Sequence, residues 1–165
     1  MHTQDIITLV ANISLTLTFL IGLVFGIVQA RDAARNRRER LTLETLRNFQ
    51  THEFAELIQF VNDTKFPETE EELNKLPARE RVMFIQFAQQ MESLGMLVAE
   101  ELIDLDLVDK TLGSFVTTTW KKYKVVFQEI RDKRDPYLGE YYQWLAVKIA
   151  ERLKSAPRDP YYVNN

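Results

Sequence analysis

Residues 6–30 read IITLVANISLTLTFLIGLVFGIVQA, twenty-five positions without one charged side chain. As a helix rising about 1.5 Å per residue, that stretch is about 37 Å long, against about 30 Å of bilayer hydrocarbon. Fifteen of the residues from Ile6 to Val28 are Leu, Ile, Val or Phe. At about −0.3 to −0.6 kcal/mol each near the bilayer centre, they favour insertion by at most roughly 5 to 9 kcal/mol. Asn12, Ser14, Thr16 and Thr18 subtract from this without reversing its sign. The reading that follows is a transmembrane helix over 6–30. A buried core helix would not need so long an uncharged run. A cleaved signal peptide is the stronger rival, because Val28-Gln29-Ala30 has the small-residue pattern of a cleavage site. However, Met1–Asp5 carries no Lys or Arg, and the apolar run exceeds an ordinary signal core.

The flanks set direction. Residues 31–40 hold Arg31, Arg35, Arg37, Arg38 and Arg40 against Asp32 and Glu39, whereas the short N-terminal flank holds only Asp5. The positive-inside rule places the arginines, and everything after them, in the cytoplasm, with residues 1–5 outside an inner membrane. The same guanidinium groups suit anionic lipid head groups, at about 1 kcal/mol each near the surface. Within the span, Ser14, Thr18, Gly22, Gly26 and Ala30 recur every four residues. A row of small side chains lets another helix backbone approach closely, which predicts a homo-oligomer or docking to a larger membrane protein.

Beyond Val28 no Pro occurs before Pro67, and no Gly occurs between Gly26 and Gly95. The expectation is one unbroken helix running on through a juxtamembrane stalk over 31–66. Leu43, Leu46, Phe54, Leu57, Ile58 and Val61 form its imperfect apolar face. A helical bundle over 67–155 and a loose tail over 156–165 follow. Thr69-Glu70-Glu71-Glu72 has capping-box form and opens a short helix. Pro77 then fits the first turn of a helix over about 78–101, with Phe84, Phe87, Met91, Leu94 and Val98 facing the core. Asp104 or Asp106 caps a short helix ending near Gly113. Ser114 caps the next, over about 115–134, with Phe115, Val116, Trp120, Tyr123, Phe127 and Ile130 on one face. Asp135-Pro136 starts a last helix reaching Leu153, with Leu138, Tyr141, Leu145 and Ile149 inward. No β-alternating run is present, so the chain reads as all-α.

Several segments together carry a resemblance. Met91-Glu92-Ser93-Leu94-Gly95, Ile103-Asp104-Leu105-Asp106-Leu107-Val108, Leu112-Gly113, Trp120 and Pro136-Tyr137-Leu138-Gly139-Glu140-Tyr141 resemble an uncharacterised bacterial family, domain of unknown function 4760. The likeness covers most of residues 40–153. It implies a helical domain behind an N-terminal membrane helix, and brings no activity, cofactor or catalytic residue with it.

Composition narrows the chemistry. The 165 residues carry a net charge of −3 and no Cys. The charge argues against general nucleic-acid binding, and the lack of Cys excludes zinc fingers, disulfide scaffolds and thiol catalysis. Residues 64–112 hold eleven acidic against five basic side chains, and residues 113–165 hold six against ten. Two helical segments with complementary faces account for that split. His52-Glu53-Phe54-Ala55-Glu56 misses the zinc-protease helix motif, since Glu56 stands where a second His is needed. The only other histidine, His2, is placed across the membrane. Glu100, Glu101, Asp104, Asp106 and Asp109 form the densest carboxylate group but lack the glycine turn of a calcium loop. Helix capping explains them more cheaply. Lys121, Lys122 and Lys124 around Trp120 read as a wet helix face. No catalytic, cofactor or metal residue emerges from the sequence.

The leading expectation is a membrane-anchored, non-catalytic interaction protein, an accessory subunit or adaptor of a membrane complex. Its rival is a small membrane-linked enzyme or a ligand or metal sensor, with a pocket uniting Glu92, Asp104, Trp120 and Tyr141. A membrane-permeabilising effector ranks last, because one Asn and a few hydroxyls line a pore poorly.

Overall fold

Thr51 is where the bundle begins to depart from a straight rod. This computed structural model describes residues 3–157, all of whose regular structure is helical. The first helix, α1, spans Thr3–Arg47, and a 3-10 turn follows over Asn48–Gln50. Thr51 then takes extended backbone angles, and its hydroxyl accepts a hydrogen bond from the Phe54 amide at 3.2 Å. That bond opens α2, His52–Asp63. The expected unbroken helix to Asp63 is therefore interrupted. A β-branched hydroxyl residue that satisfies an orphan amide favours a new helix start over continuing the old one. Phe49 fixes the bend by packing edge-on against Phe54, with ring centroids 4.8 Å apart.

The remaining elements are α3, Glu70–Lys75; α4, Ala78–Ala99; α5, Leu105–Lys133; and α6, Glu140–Ser155. The chain divides after Arg40 into two compact units. In the first, α1 exposes its apolar residues: Leu15, Phe19 and Phe25 are 72%, 69% and 68% accessible. The Thr16 and Thr18 hydroxyls donate to the Asn12 and Ser14 carbonyls, both at 2.8 Å, so they need no outside acceptor. The second unit starts at Leu41. Its core takes Phe54, Leu57 and Val61 from α2 together with the predicted α4 set. The segment read as stalk is thus bundle from residue 41 onward, and Leu43, assigned to its apolar face, is exposed.

Capping chemistry explains most boundaries. Thr69 accepts from the Glu72 amide at 3.2 Å, and the Glu72 carboxylate accepts from the Glu68 amide at 2.9 Å. The capping box is present, closed one residue early. Asp104 accepts from the Leu107 amide at 3.1 Å and starts α5. One helix then runs where two were expected, because Gly113 is buried against Ile149 and serves as a contact, not a stop. Asp135-Pro136 opens a turn instead of α6: the Asp135 carboxylate accepts from the Tyr137 amide at 3.1 Å. Gly139, at φ 68°, then starts α6 four residues late. A side chain at Gly139 would collide with the Phe127 ring at 2.6 Å as well as strain the backbone. Within α6, Tyr142 faces the core in place of Tyr141, alongside Leu145, Ala146 and Ile149.

An aromatic lattice fills the centre. Tyr123 stacks on Phe87 at 5.0 Å and meets Phe66 edge-on at 4.1 Å, while Trp120 meets Tyr142 at 5.0 Å. Such pairs add about 0.5–1.5 kcal/mol each beyond the burial of their area. Burial pushes the Tyr123 and Tyr142 phenols upward, so both stay neutral. The Tyr142 and Thr119 hydroxyls are hydrogen-bonded to each other at 2.6 Å.

The end of α4 yields a stability prediction. The Glu101 amide donates to the Val98 carbonyl and the Leu102 amide to the Leu97 carbonyl, both at 3.0 Å, closing a Schellman turn. Glu101 occupies its left-handed position at φ 56°, where glycine is usual. Because the side chain is exposed, Glu101→Gly removes backbone strain and little else. Thermal unfolding of the purified chain should show a gain of about 0.5–1 kcal/mol.

Candidate functional site

Between Arg81 and Ala99, α4 carries one charged residue, Glu92, and it faces the start of α6. Its two carboxylate oxygens accept from the Tyr141 amide at 3.2 Å and the Tyr142 amide at 2.9 Å. These are orphan donors of the first turn of α6, whose own cap residue, Gly139, has no side chain to offer. A carboxylate there also meets the positive end of the helix dipole. One turn further along α4, Gly95 lets the two helices touch: a Cβ would lie 2.2 Å from the Tyr141 carbonyl oxygen. Glu92 is therefore a cap supplied from a neighbouring helix. An isolated acid in the otherwise uncharged 82–99 run was its signal in the sequence.

Arg131 holds the other side of this joint. Its Nε donates to the Leu138 carbonyl at 2.6 Å, its Nη1 bonds Gln143, and its guanidinium lies 5.9 Å from the centre of the Trp120 ring. The rival pocket of Glu92, Asp104, Trp120 and Tyr141 does not assemble. Asp104 caps α5 and donates its own amide to the buried Thr42 hydroxyl at 2.8 Å, and Trp120 is core.

The acidic group disperses likewise. Asp106 bonds Lys110 at 2.5 Å and Arg152 at 2.8 Å, with Asp109 3.7 Å from Arg152. The Lys110 hydrogen bond, with Arg152 assisting, holds the Asp106 carboxyl below its ordinary value. Glu100 and Glu101 belong to the α4 end turn. His52 and Glu53 open α2 on its exposed side. Among the described residues, no group of three His, Asp or Glu side chains is placed to hold a metal ion. His2 lies outside the described residues.

On α1, Ser14, Thr18, Gly22, Gly26 and Ala30 are all exposed, and a Cβ at Gly22 or Gly26 meets only open space. Steps of four follow an inclined ridge of the helix surface, the geometry that suits right-handed close crossings. Arg31, Arg35, Arg37 and Arg40 are exposed and Arg38 is half-buried. Arg35 pairs with Glu39 at 3.0 Å, both well solvated.

The bundle also has a groove that the sequence did not announce. It has a volume of about 610 Å³, with α4 along one side and parts of α3, α5 and the 135–139 turn along the other. Its lining residues are far apart in the chain, which is why no local pattern marks it.

A family model described as a domain of unknown function (DUF4760) matches residues 16–149, most of the chain, so the chain belongs to that family. The matched stretch takes in the apolar helix from Thr16 onward and the bundle through Ile149. No curated protein and no solved structure matches it.

The Glu92 joint is testable by paired substitutions. Glu92→Ala leaves two α6 amides without an acceptor and should cost about 2–3 kcal/mol. Glu92→Gln keeps one good acceptor and should cost about half as much. Equal unfolding temperatures for wild type and Glu92→Ala would show that the cap contributes nothing.

Proposed function

We propose that this family member is a membrane-anchored, non-catalytic interaction protein, an accessory subunit or adaptor of a membrane complex. Its N-terminus faces out, α1 spans the inner membrane over residues 6–30, and the bundle lies on the cytoplasmic side. The observation that carries the reading is the state of α1. Its most apolar window has a mean hydropathy of 2.2, and none of that window is buried by the chain's own fold. Meanwhile the second unit closes a core from residues 46–149 alone. An apolar helix without a partner inside its own chain is matched to lipid and to other helices in lipid.

In this reading Arg31, Arg35, Arg37, Arg38 and Arg40 fix orientation and meet anionic head groups. The Ser14–Ala30 row makes the specific protein contact, with a second copy or a larger membrane protein. Support for a non-catalytic bundle comes from the uses its charged groups already have. Glu92, Asp104 and Arg131 each serve a helix end or a turn.

Two experiments test the reading. Since the chain has no Cys, single reporters at Gln4→Cys and Ser155→Cys are clean. In intact cells an impermeant maleimide should label the first, and the second only after the inner membrane is opened. The reverse pattern would invert the topology. In mild detergent the protein should run as an oligomer or bring a membrane protein with it. Gly22→Leu with Gly26→Leu should abolish that assembly and leave membrane extraction behaviour unchanged. A strictly monomeric wild type with no companion sinks the adaptor reading.

A further inference from the structure

The groove on the bundle has an apolar body and one cationic end. Along α4, the stretch from Arg81 to Ser93 lines it. Twelve steps of about 1.5 Å make that wall about 18 Å long. The facing wall includes Leu73 and Asn74 of α3, Ile130 of α5, and Arg134 and Leu138 of the turn that follows it. Ile85 is 52% exposed although it sits in an otherwise apolar channel.

Charge is concentrated where α3 closes the groove. The Arg81 Nη1 donates to the Asn74 carbonyl at 2.8 Å, and Arg134 meets Glu70 at 2.9 Å. Glu70 and Asn74 lie one turn apart on α3, so both guanidinium groups converge on the same short helix. Glu70 offsets one of them. Arg81 makes no ion pair among the described residues. At the other end Glu92 has both oxygens committed to α6. The α3 end of the groove therefore carries one positive charge in excess beside uncovered hydrocarbon.

The chemistry of the groove selects the occupant: an apolar body with one cationic end complements an alkyl chain with one anionic head. An extended peptide needs backbone partners, and the groove walls are helices whose backbone groups bond within themselves. A single alkyl chain fits and asks for no hydrogen bonds. We propose that the groove binds a single-chain anionic amphiphile, a carboxylate or phosphate monoester on one long alkyl chain, with its head group on Arg81 and Arg134. The chain lies along Ile85 and Ala88 against Ile130 and Leu138. A volume in this range, mostly apolar with a few convergent polar groups, is usual for a small-ligand site.

The test uses the full chain in phosphatidylcholine nanodiscs and three photoactivatable probes carrying a diazirine on the alkyl chain. These are dodecanoate, uncharged dodecanol, and a lysophosphatidic acid, a single-chain phosphate monoester, placed in the disc. Attachment sites are mapped by peptide mass spectrometry. Dodecanoate should label residues 81–93 and 127–139 at least fivefold more than dodecanol does. Arg81→Gln should cut that labelling severalfold, Arg81→Lys should retain most of it, and Ile85→Trp, which fills the channel, should abolish it. Groove labelling by the lysophosphatidic acid as well would identify the bilayer as a source; labelling by dodecanoate alone would identify the aqueous phase. Arg81 and Ile85 both lie outside the buried core, and circular dichroism of each variant checks the fold. Labelling confined to residues 6–30, equal labelling by dodecanol, or no change in Arg81→Gln and Ile85→Trp with the fold intact would overturn the proposal.

Discussion

The close passage of α4 and α6 at Gly95 and Tyr141 is the constraint on which the bundle depends. With no side chain at Gly95, the Tyr141 carbonyl can sit where a Cβ would be. That approach brings the Glu92 carboxylate within reach of the first α6 amides, so the contact that positions the helix also satisfies its end. Neither part is sufficient alone. A capping acid without the glycine would be held too far away, and the glycine without the acid would bury two donors lacking an acceptor. Once α6 is fixed there, Tyr142 must point inward, where it meets Trp120, Phe87 and the Thr119 hydroxyl.

The groove is a by-product of the same joint. Starting α6 at Glu140, with Gly139 as its cap, leaves six residues, Arg134 to Gly139, to turn the chain outside any helix. Arg131 ties that turn down by the Leu138 carbonyl and by Gln143. On the other side, α3 is only six residues long, and its position is set by contacts with α5: the Glu70 amide donates to Glu129 at 2.5 Å and its carboxylate meets Arg134. A short helix and a tethered turn cover the lower half of α4 incompletely, and the uncovered strip is the groove. Its cationic character follows from the residues that fasten its edges.

How much of this was legible in the sequence depended on whether the signal was local. The stripe Phe84, Phe87, Met91, Leu94 and Val98 repeats within one helix, and all five are buried. Thr69 and Asp104 act on amides three residues away, so the pattern S/T/D-x-x reveals them. The failures are non-local. Gly113 reads as a stop until Ile149 is known to pack on it, and Thr51 reads as mid-helix until Phe49 and Phe54 are seen in contact. Asp135-Pro136 has the form of a helix start, but the left-handed Gly139 allows a turn first. Glu92 reads as part of a ligand pocket with Asp104, Trp120 and Tyr141 because its partners are backbone amides nearly fifty residues on, which no side-chain motif encodes.

The first unit follows a different physics. Helices in folded proteins are held mainly by the burial of one face, and isolated helices owe little to propensity alone. From Ile6 to Val28, α1 has no buried face within this chain, and its β-branched and aromatic residues are not strong helix formers. In water that segment would expose hydrocarbon all round and gain nothing from being helical. In lipid the balance reverses, because every backbone amide must be bonded internally and the helix is how a single segment does so. The back-bonded Thr16 and Thr18 hydroxyls extend the same economy to side chains. Lipid also removes the solvent-driven attraction between helices, so association depends on how closely backbones approach. Under the proposed anchoring, the open surface at Gly22 and Gly26 is then the part of the chain where a partner helix gains most.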